Sequence, residues 1–191
     1  DLIDRTFGWE PGKLKLTSGH QEMELALCKL YRVTGEKRYL ELAKHFLDQR
    51  GRGKGKGGRK DMIFQQDGSV AFDSQMKMPG AYLQAHVPVL EQREAVGHAV
   101  RAGYLYCGMA DIAALTGAAD YLAVIGRLWE NVVSKKLHLN GGTGGRPAGE
   151  AYADNYELPN NKDTAPVLQK DQTYLETCAA IANALWNERM F

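Results

Sequence analysis

Apolar residues recur every three to four positions in two neighbouring stretches near the start of the chain, which is the spacing of amphipathic helices. The first stretch predicts a helix from about Ser18 to Val33, and the second predicts a helix from about Glu36 to Gln49. Gly35, between them, can adopt the left-handed conformation that often ends a helix. Because only a short turn separates the two helices, we expect them to pack as an antiparallel hairpin.

The remaining pattern predicts three more helices, from about Val89 to Leu115, from about Ala119 to Lys135, and from about Thr173 to the last residue. The first of these is small or apolar on nearly every side, which indicates burial on more than one face. Residues 1–17 are predicted to be irregular, and 137–139 to form a short strand. Repeated helical hairpins favour an all-α toroid or an α-solenoid.

Residues 51–80 interrupt this pattern and begin with a run of glycine and basic residues, GRGKGKGGRK. The run could be interpreted as a phosphate-binding loop, but it has neither the spacing GxxxxGK[ST] nor a preceding strand. Such a composition is typical of a flexible surface loop. We therefore predict a flexible Gly/Lys/Arg-rich loop region at 51–80.

Composition narrows the classes of function. The chain has 191 residues, 44% hydrophobic and 25% charged, which suits one soluble globular domain with a sizeable core. Its formal net charge of +1 gives no electrostatic reason to expect a nucleic acid or membrane partner. No apolar run approaches the ~20 residues that span a bilayer. The three cysteines are too few and too scattered for a disulfide framework, so the cellular compartment stays open.

Candidate chemistry is concentrated after Gly149, where Glu150 precedes a polar, aromatic-rich loop and Glu176-Thr177-Cys178 precedes the last predicted helix. A carboxylate and a thiol two residues apart can offer oxygen and sulfur to one soft divalent ion, usually zinc. Two ligands do not complete a zinc site, which needs three or four protein ligands. Taken alone, the residues favour a small buried cysteine near a helix start beside a solvated glutamate.

A resemblance to a known family changes which interpretation of Glu176 and Cys178 is favoured. The stretches GEAYADNYELPN and YLETCAAIANALWNERMF resemble the glycoside hydrolase family 127 of bacterial β-L-arabinofuranosidases, once a domain of unknown function. The resemblance continues, in the family's order, in GHQEMELALCKLYRVTGEKRYLELAKHFLDQRG, QAHVPVLEQREAVGHAVRAGYLYCGMADIAALTG and LWENVVSKKLHLNGGTGG. It implies an (α/α)6 barrel, of which the five predicted helices are fewer than half. We therefore interpret residues 1–191 as one partial catalytic domain, truncated at its C-terminal end and at its N-terminal end.

The resemblance also implies roles for particular residues. It implies a zinc held by one glutamate and three cysteines, one of them the nucleophile, and Glu176 and Cys178 match two of these four ligands. The other two form a cysteine pair beyond residue 191, so the isolated chain is expected to be inactive. Glu150 matches the general acid/base, and His20 and His98 match histidines that line the sugar pocket. The remaining cysteines, Cys28 and Cys107, are better interpreted as core residues.

The chain departs from the family pattern by an insertion at about 161–172, between Glu150 and the two zinc ligands. Insertions in loops are tolerated, so this one puts the exact sugar in doubt more than the reaction type. Two alternatives to a retaining glycosidase acting on furanosides remain open. One is a non-catalytic helical-repeat module that binds a partner or a carbohydrate, and the other is a different toroid enzyme such as an epimerase or a lyase. We also expect apolar surface on the isolated chain, and association through it.

Overall fold

The computed structural model describes residues 1–52, 79–146, 150–154 and 175–191. Most of the loop predicted at 51–80, and all of the insertion predicted at 161–172, lie outside the described residues.

The described residues form seven α-helices and one 3-10 helix, and they contain only isolated β-bridges in place of strands. The short helices are α1 (Leu2–Thr6) and α4 (Pro79–Tyr82), and the 3-10 helix is Val89–Glu91. The longer ones are α2 (Met23–Thr34), α3 (Lys37–Gln49), α5 (Ala99–Thr116), α6 (Ala119–Lys135) and α7 (Thr177–Met190). The predicted all-α class is therefore confirmed for the described part of the chain. None of the helices in this part is both long and apolar enough to cross a membrane.

Helix α5 is the centre of the fold, and α2, α3, α6 and α7 all pack against it. Two glycines of α5 allow the neighbouring helices α7 and α2 to approach its backbone closely. A Cβ added at Gly103 would lie 2.7 Å from the Cβ of Ala182 on α7, and one added at Gly108 would lie 2.8 Å from the Cβ of Glu24 on α2. A helix in contact on several sides has no polar face, which explains why its sequence is small or apolar all round.

An ionic cluster centred on one buried carboxylate links three of these helices. Asp111 of α5 is 2% exposed, and its two carboxylate oxygens accept from Arg32 of α2 at 3.0 Å and from Arg189 of α7 at 3.1 Å. A buried carboxylate is costly unless it is paired and hydrogen-bonded, and here both oxygens have a guanidinium partner. The cluster therefore ties α2 and α7 to α5 through one buried carboxylate.

Several predicted boundaries agree with the structure because local signals decide them. Helix α6 has the predicted bounds, and α3 begins one residue after the predicted start. Gly35 ends α2 with φ of 72° and donates its N–H to the Tyr31 carbonyl at 2.8 Å. Cys28 and Cys107 are fully buried, which confirms their interpretation as core residues. Burial raises the pKa of each thiol to about 12.

Other predicted boundaries are wrong, and the reasons are tertiary. The central helix begins at Ala99 and not near Val89, because Gly97 has φ of 76° and its backbone lies against Ala81. Helix α2 begins at Met23 and not at Ser18, since Arg50 and Arg101 hold the carbonyls of Ser18 and Gly19 in an irregular conformation.

Two predictions about the shorter segments are also wrong. The segment 1–17, predicted to be irregular, contains α1. The strand predicted at 137–139 is a turn, in which His138 donates its N–H to the Gly142 carbonyl at 2.9 Å. The turn leaves Leu139 almost fully exposed, whereas a strand would have needed a partner for its backbone groups.

Candidate functional site

His98 directly precedes α5 and serves as its N-cap. Its Nδ1 accepts a hydrogen bond from the backbone N–H of Arg101 at 3.5 Å, which satisfies one of the donors left unpaired at a helix start. Because Nδ1 is the acceptor, the proton of the neutral imidazole is on Nε2. The cap therefore fixes both the direction of the ring and its tautomer.

Glu150 is held against the same end of α5. Its Oε2 lies 2.6 Å from Nε2 of His98, and its backbone carbonyl accepts from the N–H of Ala99 at 3.0 Å. Tyr152 donates its N–H to the Gly97 carbonyl at 2.9 Å, so the short segment 150–152 pairs antiparallel with the start of the helix. Glu150 has φ of 49°, an uncommon conformation for a residue with a side chain. The carboxylate also lies at the positive end of the helix dipole.

The electrostatics of this pair favour a neutral donor facing a carboxylate. Burial lowers the pKa of His98, and this outweighs the neighbouring Glu150 charge, which acts to raise it. The His98 side chain is 9% exposed and that of Glu150 is 39% exposed. The geometry therefore directs one carboxyl oxygen to the histidine while part of the Glu150 side chain still faces solvent.

His20 lies on the irregular segment before α2 and faces the same end of α5. Its ring centroid is 6.2 Å from that of Tyr104, and its Nδ1 is 3.5 Å from Oε1 of Glu22. Partial burial lowers the pKa of His20, and the charges of Arg101 and His98 act in the same direction. Arg101 donates to the Gly19 carbonyl and Tyr104 contacts the His20 ring, so His20 lies against the first two turns of the helix that His98 caps.

Glu176 and Cys178 lie at the start of α7, beside the start of α5. Cys178 is exposed, and its Sγ donates to Oε2 of Glu176 at 2.9 Å. Partial burial and this hydrogen bond raise the pKa of the Cys178 thiol. Gly103 of α5 packs against Ala182 of α7, and Asp111 of α5 binds Arg189 of α7, so the two helices run in the same direction and their starts lie side by side. The predicted metal ligands therefore lie at the same end of the bundle as His98, and the Glu176 charge acts to raise the pKa of His98.

The donor set at Glu176 and Cys178 fits part of a zinc site. Their oxygen and sulfur are of the types that zinc binds, and they already converge within hydrogen-bonding distance. Within the described ranges, no group of three or more His, Cys, Asp and Glu side chains is arranged to hold a metal ion. The described residues therefore offer two zinc ligands, and the zinc site stays a prediction.

The three remaining histidines do not join this site. His86 is exposed, whereas His45 and His138 are buried in packing positions. The polar loop residues 155–160 lie outside the described residues. Sequence reasoning missed Gln21, Gln84 and Arg101, three polar residues packed behind the two histidines. No periodicity marks them, and the only available signal was that Gln21 directly follows His20.

Comparison with known proteins identifies the family of this chain. A family model described as the GH127 catalytic domain of β-L-arabinofuranosidase matches residues 1–191. A non-reducing end β-L-arabinofuranosidase of Bifidobacterium longum subsp. longum is 37% identical over 190 residues, which cover 100% of this chain and 27% of that protein. The chain thus spans about a quarter of the length of the curated relative that it matches.

Solved structures of the same family are also similar to this chain. A GH127 β-L-arabinofuranosidase from Geobacillus stearothermophilus T6 superposes with a TM-score of 0.83 at 38% identity, over 98% of this chain and 27% of that one. Another GH127 β-arabinofuranosidase gives a TM-score of 0.78 at 45% identity, over 100% of this chain and 25% of that one. These likenesses are consistent with the predicted part of an (α/α)6 barrel. With its whole length matched by the family model and by these relatives, the chain belongs to the GH127 β-L-arabinofuranosidase catalytic-domain family.

Proposed function

We propose that this chain forms part of the active site of a retaining glycoside hydrolase that cleaves furanosides such as β-L-arabinofuranosides. The observation that carries the proposal is the His98–Glu150 pair at the start of α5, with Glu176 and Cys178 at the neighbouring helix end. Family membership supports the same reaction class, because the relatives are named β-L-arabinofuranosidases. The substrate would be a carbohydrate with an arabinofuranosyl group at its non-reducing end.

In this proposal Glu150 is the general acid/base. It gives a proton to the departing glycosidic oxygen and later takes one from the incoming water, as a retaining mechanism requires. The N–H of His98 holds one carboxyl oxygen, so the exposed part of the carboxyl group is aimed toward the substrate. This orientation is the specific contribution of α5, since the helix cap fixes the ring that holds Glu150.

His20 and His98 would bind sugar hydroxyl groups around this carboxyl. His20 is 38% exposed in its side chain, so its ring can reach a ligand while Tyr104 supports it from α5. Glu176 and Cys178 would be two of the ligands of a zinc. When bound, the zinc would stabilise a cysteine thiolate as the nucleophile, and that cysteine would come from outside residues 1–191.

An epimerase or a lyase fits the described residues less well. Such an enzyme would not need Glu176 and Cys178 to converge, as they do at 2.9 Å. His98 is also unsuited to be its base, because one ring nitrogen is engaged by the helix start and the other by Glu150. A binding module without turnover would have no need for a carboxylate oriented in this way.

The experiment measures zinc content and hydrolysis of p-nitrophenyl β-L-arabinofuranoside, on this chain and on a longer protein that continues past residue 191. We expect stoichiometric zinc and turnover in the longer protein. There, Glu150→Ala should lower kcat by roughly 10²- to 10⁴-fold, the usual contribution of a general acid/base. Azide should restore part of this activity, because a small anion can replace water without needing a base.

The matched control is Glu130→Gln, which removes an exposed carboxylate on α6 that takes no part in the His98–Glu150 or Glu176–Cys178 contacts and should keep wild-type kcat. A longer protein that binds no zinc and cleaves no furanoside would overturn the proposal. So would a Glu150→Ala variant as active as Glu130→Gln.

A further inference from the structure

Two buried glutamines lie directly behind the candidate site. Gln21 and Gln84 have no exposed surface, and Gln84 has φ of 54°, a left-handed conformation that is costly for a residue with a side chain. Burying an amide is costly as well unless its hydrogen bonds are made. Such a residue persists when surrounding contacts hold it in place. Both the nitrogen and the oxygen of the Gln84 amide have hydrogen-bond partners.

The hydrogen bonds of Gln84 determine which way its amide points. Its Nε2 faces the carbonyls of Tyr82, Val96 and His98 at 3.0, 2.9 and 3.2 Å. Three carbonyl oxygens can accept only from the nitrogen, so the opposite orientation would bring oxygen against oxygen. Its Oε1 therefore faces Gln21, whose Nε2 donates to it at 2.7 Å.

The same logic continues through Gln21. Its Nε2 donates to the Leu83 carbonyl at 2.8 Å as well as to Gln84, so its Oε1 is left to accept. It accepts from Nη1 of Arg101 at 3.4 Å, and the same Nη1 donates to the Gly19 carbonyl at 3.1 Å. The result is one directional chain from the Arg101 guanidinium through two amides to the His98 carbonyl, which we name the amide chain.

The amide chain connects the two histidine-bearing segments. At one end it holds Gly19 and Gln21, the residues on either side of His20. At the other end it holds the backbone of His98. His20 itself is partly exposed, and its neighbour Glu22 is more exposed still. The position of the His20 ring therefore depends on how the flanking backbone is anchored.

We infer that Gln21 and Gln84 are positioning residues, which set the separation of His20 and His98 through the amide chain and so preorganise the pocket for a furanosyl group. Neither glutamine has surface with which to touch a ligand, so both act through the histidines. The inference rests on the proposed function for its catalytic consequence, and on the geometry alone for its structural one. Preorganisation of this kind is valuable because small misplacements of binding groups lower rates steeply.

The test replaces each glutamine with a side chain of similar length that makes no such hydrogen bonds, Gln21→Met and Gln84→Met. A third variant, Gln84→Gly, removes the amide but accepts the left-handed backbone without strain, so it should fold even if Gln84→Met does not. The control is Tyr121→Phe, which removes a different buried hydrogen bond, from the Tyr121 hydroxyl to Oδ1 of Asp48 at 2.7 Å. That hydrogen bond joins α6 to α3 and includes no atom of the amide chain.

The first readout is the proton resonance of His98 Nε2–H by NMR on the folded chain. A short hydrogen bond to Glu150 should move this resonance downfield in the wild type and in Tyr121→Phe. We expect it to shift upfield or to broaden in the glutamine variants. The second readout is kcat and KM for the furanoside in the longer protein, where the glutamine variants should lose roughly 10- to 100-fold in kcat/KM and Tyr121→Phe should lose less than threefold.

The outcomes separate the two proposals. If the longer protein without substitutions hydrolyses no furanoside, the proposed function fails, and the NMR readout still decides whether the amide chain positions His98. If the glutamine variants keep the wild-type resonance and kinetics and only melt at lower temperature, as Tyr121→Phe should, the positioning inference is overturned and the glutamines are purely structural.

Discussion

His98 is bound at both ring nitrogens: Nδ1 accepts from the backbone of Arg101 at the start of α5, and Nε2 lies 2.6 Å from Oε2 of Glu150. One side chain thus caps the central helix and holds the carboxylate proposed as the acid/base. His98 therefore contributes both to the stability of α5 and to the proposed chemistry, and substitutions can separate these two contributions.

Replacing His98 with asparagine should separate its two roles. Asparagine is as good an N-cap as any residue, but it is too short to hold Glu150. We expect His98→Asn to keep the free energy of unfolding near that of the wild type and to lose activity. His98→Ala should lose activity and also about 1 kcal/mol of stability, because the cap is gone. Urea unfolding of this chain and furanoside kinetics of the longer protein measure the two effects, and equal stability of the two variants would contradict the capping role.

Gly97 should tolerate no side chain. Its φ is 76°, and a Cβ added there would lie 1.9 Å from the carbonyl oxygen of Ala81. We expect Gly97→Ala to cost on the order of 3 kcal/mol or to prevent folding, since it combines backbone strain with a backbone clash. The control is Gly126→Ala on α6, where a Cβ meets nothing within 4 Å. That variant should be about 1 kcal/mol more stable than the wild type, because alanine is the better helix former. Thermal unfolding measures both.

The three cysteines should differ sharply in reactivity. Cys178 is exposed, whereas Cys28 and Cys107 are buried, with each pKa raised to about 12 by that burial. Iodoacetamide should therefore modify only Cys178 in the folded chain, as mass spectrometry can show. Because Glu176 helps to raise the pKa of Cys178, Glu176→Gln should speed this modification at a mildly alkaline pH. An unchanged rate in Glu176→Gln would contradict the contact between the two side chains.

Stability should fall as the pH is lowered through the titration range of histidine. Burial lowers the pKa of His20, His45 and His98 below the ordinary value of 6.5. Between the folded and unfolded pKa values the unfolded chain binds more protons, so the stability that these groups contribute is complete above 6.5 and is lost below it. Thermal melts at decreasing pH should show this loss. His98→Asn, with one fewer such histidine, should show a shallower loss, and an identical pH profile would contradict the contribution of His98.

Local sequence was sufficient for the elements whose ends depend on neighbours along the chain. Helix α6 has the predicted bounds, and the α2–α3 hairpin turns at Gly35 as predicted. Apolar spacing and a left-handed glycine are properties of short stretches, so they can be identified without tertiary contacts. Helical hairpins predicted an all-α toroid or solenoid, and the family resemblance added the (α/α)6 barrel and the residues of the candidate site, because matching motifs carry positions that no periodicity reveals.

The chain by itself therefore determined its helical class, most of its helix ends and which residues to examine. The tertiary structure alone decided how these helices and residues contact one another. Gly97 is not helical because Ala81 approaches it, and His98 can cap α5 and hold Glu150 only because the segment 150–152 returns to the start of that helix. Gln21 and Gln84 carry no local signal of their pairing, since a buried amide is recognised by its partners. Long-range contacts of this kind are set by packing in three dimensions, and no pattern within one short stretch encodes them.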